Sequence, residues 1–282
     1  MDVNRTSLFQ SPSLETTAGA ALRLAYLASH FPCETPVNIA FIDSESQEER
    51  LAAIDVVRSS GLIPRPIISA RRFTSDEALR SFLYQAIQLK AVRDIFLVGG
   101  DLAVPRGPFR DSLDVMKGSF LDGFGLDVVG IAGYPDGHPE IDTATLFDCL
   151  QIKVETLKAK GLHVEITTQL SFDARAVIDW IRRVRALGID VPIRIGIPGP
   201  GDISEVLKFS RLCRVRTSVH LLQRYGWGTT PLLSSVGPDR FLTELLESAA
   251  GVDLGSLRLH LYPLGNLEKT LQWFSGWEEK SY

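Results

Sequence analysis

The chain has 282 residues, 45% hydrophobic and 23% charged, which suffices for a large core without disulfide or metal staples. Its 30 basic and 34 acidic side chains leave a formal charge of −4, so no broad basic surface argues for nucleic acid. Cys33, Cys149 and Cys213 are widely spaced and odd in number, which argues against a disulfide framework or a zinc site and for free thiols in a reducing, cytoplasmic setting.

The opening MDVNRTSLFQSPS lacks the apolar core of a signal peptide, and no apolar run reaches membrane-spanning length. Residues 1–12 read as a flexible N-terminus. Ser13-Leu14-Glu15 reads as a first strand with Glu15 at its end, and 18–31 as a helix. Val37–Phe41 is a second strand ending at Asp43, followed by an amphipathic helix over 47–60 that Gly61 closes. Pro66–Ala70 is a third strand, followed by Arg71-Arg72 and a helix over 75–91. Ile95–Val98 and Val128–Ala132 are the fourth and fifth strands, with a weaker helix between them broken at Gly118.

A long helix over 143–160 leads to a sixth strand, His163–Thr168, ending at Gln169. A helix over 173–187 precedes a seventh strand, Pro192–Ile197, which ends in Pro-Gly-Pro-Gly. Helical patterns at 203–213, 217–225 and 238–250 fill an insertion before the eighth strand, Leu257–Tyr262, and a last helix begins at Leu267. Strict alternation argues for a parallel sheet. Eight repeats at this length favour a closed (β/α)8 TIM barrel, an α/β fold with a helical insertion before the last strand, as one domain over 13–282. No GxGxxG follows the first strand, which counts against a dinucleotide fold of the Rossmann type.

In such a barrel ligands gather at the C-terminal strand ends. The candidates are Glu15, Asp43, Arg71, Asp101, Tyr134, His138, Gln169 and the loop 199–202. Asp43 and Asp202 are equally well read as helix caps or loop ion pairs, and Arg71-Arg72 as a solvated pair. The Pro-Gly-Pro-Gly loop is turn chemistry first. Asp101 and the loop YPDGHPE (134–140) stand apart, because a tyrosine, a histidine and acids set among prolines and a glycine exceed what a connecting loop needs. His163 and His260 lie within strands as core residues, and the histidines form no metal-ligand pattern.

At these residues the sequence resembles the methylenetetrahydrofolate reductase family. VGGD (98–101) is similar to its L-R-G-D, AGYPDGHPE (132–140) to its A-x-Y-P-E-x-H-P-E, ITTQLSFD (166–173) to its I-T-Q-x-F-F-D, and LHLYPLGN (259–266) to its H-F-Y-T-L-N-R. The resemblance implies a (β/α)8 barrel and hydride transfer from NADH or NADPH through FAD to 5,10-methylenetetrahydrofolate. It implies Glu15 as the acid that opens the folate ring to an iminium, Asp101 facing flavin and pterin, and Gln169 bonding the pterin. Gly99, Gly100, Asp101, Tyr134, His138 and Lys153 would then face the FAD.

The chain departs from the family at four places. The arginine of L-R-G-D is Gly99, a strand-three histidine falls at Ile67 or a neighbour, the lysine of the fifth-strand helix is shifted to Lys153 or Lys158, and the last-block arginine is Asn266. Each charge-assisted contact is worth roughly 1.5–3 kcal/mol, so losing two or three would loosen FAD. Arg65, Arg71, Arg72 and Arg106 are the basic residues that could compensate. The rival readings are a folate-binding or partner subunit with reduced or lost flavin binding, and an unrelated barrel lyase. The expected partners are a reduced folate and, through the 203–250 insertion, another copy of the chain, with no nucleic acid and no membrane.

Overall fold

The computed structural model describes residues 8, 10–201, 204–205, 207–208, 237–264 and 266–279. Eight parallel strands close in chain order: β1 (Ser13–Thr16), β2 (Pro36–Ile39), β3 (Ile63–Ser69), β4 (Asp94–Val98), β5 (Val128–Gly133), β6 (His163–Thr168), β7 (Ile193–Pro198) and β8 (Leu257–Tyr262). The fold is therefore the expected (β/α)8 TIM barrel. The helices after β1 are α1 (Ala18–Ala21) and α2 (Leu24–Leu27), and those after β2, β3 and β4 are α3 (Gln47–Ser59), α4 (Asp76–Leu83) and α5 (Ser112–Lys117). The helices after β5 and β6 are α6 (Thr143–Ala159) and α7 (Ala174–Ala186). α8 (Asp239–Ala249) precedes β8, and α9 (Leu267–Glu279) follows it. The helical patterns expected at 203–213 and 217–225 lie, apart from a few residues, outside the described residues.

The strands alternate sharply. Val37, Ile39, Ile68, Ile95, Leu97, Val129, Ile131, Ile166, Ile195 and Leu259 are buried, and these aliphatic positions form one face of each strand. The intervening positions are more mixed, with Asn38, Arg65, Asp94, Gly130, Glu165, Thr167, Arg194 and His260 beside the apolar Ile67 and Phe96. Their direction follows from one ion pair. Arg65 on β3 reaches Glu165 on β6, Nη1 to Oε2 at 2.8 Å, although β4 and β5 lie between the two around the sheet. Only a path through the barrel interior joins them, so the mixed set that carries Arg65 and Glu165 faces inward and the aliphatic set faces the helices. Arg65 also bonds Asp94 at 3.1 Å.

The helices start where local chemistry expects. Ser46 and Glu49 form a reciprocal capping box on α3, Ser75 caps α4, and Asp173 caps α7 by accepting from Arg175 N and Ala176 N. Two expectations need correction. The single helix expected over 18–31 is broken into α1, α2 and a 3-10 turn at Ala28–His30. Its buried positions Ala18, Ala21 and Leu24 recur every three residues, a spacing that suits the tighter winding of three residues per turn. The helix expected to run to 91 turns π-helical over Tyr84–Leu89.

β3 begins three residues earlier than its prolines suggested. Ile63 N donates to Thr35 O, so odd-numbered amides of β3 face β2. Pro64 and Pro66 therefore lack only amides that would face β4, and pairing with β4 starts at Ile67.

Contacts divide the chain into two compact units. The first comprises Met1–Leu14, Gly133–Leu150 and Ile166–Tyr282, and the second Glu15–Ala132 and Gln151–Glu165. Among the described residues no helix is long and apolar enough to cross a membrane.

Candidate active site

In the second unit Glu15 is half-buried on β1, on the inward face. The end of β1 is tied to β2, since Ala40 N donates to Thr16 O at 2.8 Å. Asp101 lies three residues beyond β4 and is largely exposed. Gly100 before it has φ +98, a backbone conformation that favours glycine in this turn. Gly99 is different. A Cβ there would meet nothing closer than 3.8 Å, so the loss of the family's arginine is not forced by space.

Sequence reading underrated Arg72. Its side chain is 8% exposed and bridges two strand ends, pairing with Asp43 after β2 and with Asp101 at 2.6 Å. Arg106 also pairs with Asp43, at 3.0 Å. The hydrogen bond from Arg72 is the main reason the Asp43 carboxyl sits below the usual aspartate range. Arg71 instead braces the loop, with Nε donating to Arg110 O at 2.5 Å and Nη1 to Leu102 O at 2.9 Å. Arg65 is committed to its ion pairs at the other end of β3. Lys153 sits half-buried in the middle of α6.

In the first unit the loop after β5 carries Tyr134 and His138, whose rings meet edge to face at 5.5 Å. Burial raises the Tyr134 phenol above its usual pKa. His138 Nδ1 accepts from Glu140 N at 3.1 Å, which fixes the ring. Asp136 in the same loop is pushed up to about 6 by burial, with nearby Asp173 adding and a hydrogen bond to Ser171 opposing. The loop lines a groove of about 920 Å³ with the start of α6 and one side of α7, including Phe147, Trp180 and Arg183. Arg183 lies over the Phe147 ring at 4.0 Å.

Gln169, just past β6, is half-buried, and its amide N donates to Gly133 O at 2.9 Å. Its side-chain amide makes no hydrogen bond to any described residue. The structure thus brings Tyr134, His138 and Gln169 together in one unit, with Glu15, Asp101 and the two glycines in the other. In the loop after β7, Gly199 N is taken by Tyr262 O at 2.7 Å, and Asp202 lies outside the described residues. Among the described residues no cluster of His, Cys, Asp and Glu could hold a metal ion.

The family model for methylenetetrahydrofolate reductase matches residues 110–272, more than half of the chain. The chain belongs to the methylenetetrahydrofolate reductase family. The matched segment contains the Tyr134–Glu140 loop and Gln169, and Glu15 and Asp101 precede it. Methylenetetrahydrofolate reductase 2 of Saccharomyces cerevisiae is 34% identical over 102 residues, 36% of this chain and 16% of that protein. The 5,10-methylenetetrahydrofolate reductase of Pectobacterium carotovorum is 27% identical over 188 residues, 63% of this chain and 57% of that protein. The chain therefore matches less than two thirds of the length of either relative.

Among solved structures, a Clostridium thermocellum protein that binds two copies of 5-methyl-5,6,7,8-tetrahydrofolic acid superposes with a TM-score of 0.65 at 11% identity, covering 95% of this chain and 93% of that one. Dihydropteroate synthase of Thermus thermophilus superposes with a TM-score of 0.50 at 13% identity, covering 97% and 96%. At these identities the likeness is one of fold.

Proposed function

We propose that the chain reduces 5,10-methylenetetrahydrofolate to 5-methyltetrahydrofolate, with hydride from NADH or NADPH passing through FAD, in a reducing, cytoplasmic setting. The family match carries the reading. Glu15 and Asp101 at the C-terminal strand ends support it, as does the unengaged Gln169 amide. Glu15 donates the proton that opens the imidazolidine ring, because the iminium form accepts hydride far better than the closed ring. A half-buried carboxyl at a strand end is placed to pass a proton to a bound substrate. Asp101, oriented by Arg72, places negative charge beside the cation that ring opening creates. Gln169 pairs with the pterin edge. The Clostridium thermocellum protein supports a barrel of this kind having room for a reduced folate.

The residues that would hold the ring end of FAD are Gly99, Gly100 and Asp101 in one unit, where Gly99 leaves open space, and Tyr134 and His138 in the other, whose rings offer apolar and hydrogen-bonding surface, with Lys153 on α6. When bound, FAD supplies the two-electron relay between nicotinamide and folate. The diphosphate end is thinly provided. Asp136, Glu140, Asp142, Asp173 and Asp179 line the groove beside Tyr134 against one guanidinium, Arg183, and Arg71, Arg72 and Arg106 are already engaged with carbonyls or carboxylates. Weak, reversible FAD binding follows.

The same acidic lining favours the rival reading of a folate-binding subunit without flavin chemistry. Visible spectra of the purified protein, recorded while FAD is added, separate the two. Bound-flavin bands bleached by NADH and restored by methylenetetrahydrofolate are the expected result. Folate binding without flavin binding or nicotinamide turnover would replace the reductase reading with its rival.

A further inference from the structure

β6 ends at Thr168, immediately before Gln169, and Thr168 is fully buried. The β6–β7 pairing runs through Thr167 and Arg194, so the Thr168 carbonyl lies past the ladder. It is held from β8: Tyr262 Oη donates to Thr168 O at 3.2 Å. To reach it the ring must cross the neighbouring strand, and β7 is notched at the crossing. A Cβ on Gly196 would stand 2.7 Å from Tyr262 Cε2, 2.6 Å from Thr168 O and 2.9 Å from Gln169 O. Two of those three neighbours are backbone, so no side-chain adjustment would relieve them. The Gly196 amide donates to Thr168 Oγ1 at 2.8 Å, closing the other side of the residue.

The ring is itself held. His260 packs edge to face against it at 4.7 Å, and His260 Nδ1 lies 2.8 Å from Ser13 Oγ. Gly199 N bonds the Tyr262 carbonyl at 2.7 Å. Strands β1, β7 and β8 therefore all brace the residue that precedes Gln169, within one compact unit.

We propose that Tyr262 is a positioning residue for Gln169. Its phenol anchors the Thr168 carbonyl and so sets the direction in which the Gln169 amide leaves the strand end. Paired recognition of a pterin edge by a primary amide needs both of its bonds aligned, and a small rotation of the preceding peptide breaks one of them. This rests on the reading that Gln169 binds the pterin.

The test is a double-mutant cycle on the full chain, with the Kd for 5-methyltetrahydrofolate measured by calorimetry for wild type, Tyr262→Phe, Gln169→Ala and the double variant. Melting temperatures are recorded alongside. Tyr262→Phe keeps the ring and its packing, and is expected to weaken binding about fivefold to tenfold, the range of one hydrogen bond. In the Gln169→Ala background the same change is expected to have no further effect. Unchanged binding in Tyr262→Phe, or an equal loss in both backgrounds, would overturn the positioning role while leaving the folate reading intact. Loss of Gln169 without effect on binding, or a wild type that does not bind the folate, would overturn the folate reading itself and this role with it.

Discussion

Replacing Arg65 with methionine removes the cation from a pair of buried carboxylates. Arg65 is 1% exposed, and its guanidinium bonds Glu165 at 2.8 Å and Asp94 at 3.1 Å, whose side chains are about one tenth exposed. Methionine retains much of the aliphatic stem, so the loss is chiefly electrostatic. Removing one partner of a buried ion pair costs about 3–5 kcal/mol, a large share of the ~5–15 kcal/mol that holds an ordinary domain folded.

The cost depends on pH. Burial already holds the Asp94 carboxyl above the ordinary 3.8, with Arg65 opposing and Glu165 adding. Without Arg65 it rises further, so the folded state binds a proton more readily than the unfolded chain. That uptake favours the fold below pH 3.8 and is lost as pH rises through the raised value, so the penalty is full at pH 7.5 and smaller near pH 5. Urea unfolding followed by far-UV circular dichroism measures it, because Trp180, Trp273 and Trp277 all lie outside the unit that holds Arg65. Adding Asp94→Asn and Glu165→Gln should recover most of the loss. A cost below about 1 kcal/mol at pH 7.5, or one that does not shrink on acidification, would refute the interior ion-pair account.

Glu15→Gln should abolish turnover while 5-methyltetrahydrofolate still binds, and a fully active variant would remove Glu15 from the role of acid. Arg72→Met frees Asp101 and leaves Asp43 with Arg106, and the two carboxylates are 60% and 47% exposed, so the melting temperature should hardly move. Asp101 loses its orientation in that variant, and kcat/KM should fall about tenfold or more, as when one charge-assisted contact is lost. A fall in stability without a fall in kcat/KM would mark Arg72 as a structural brace only. Asp136, raised to about 6, favours the fold below pH 3.8 and loses that contribution as pH rises through about 6. Asp136→Asn should therefore raise the melting temperature more at pH 7.5 than at pH 5, and the reverse order would show that its carboxylate is stabilised in the fold.

The barrel was legible in the sequence because its signal is local. Each strand carries its own aliphatic face, several of the longer helices their own side-chain cap, and β-branched runs alternate with helical periods, so the count needs no knowledge of what touches what. The loop from Tyr134 to Glu140 was legible for the same reason, its unusual residues being neighbours in the chain. Where local spacing misled, as over residues 18–31, a largely apolar run hid the three-residue period that packing imposed.

Side-chain partners were a different matter. Arg65 and Glu165 are 100 residues apart, Tyr262 and Thr168 are 94 apart, and Arg72 and Asp101 are 29 apart. No periodicity links such pairs, and Arg65 and Arg72 look alike as basic residues flanking one strand. Closure of the sheet turned the first into a buried cation paired across the barrel and the second into the link between two strand ends. Chain connectivity sets which way a residue faces, but only the closed sheet sets what it meets there.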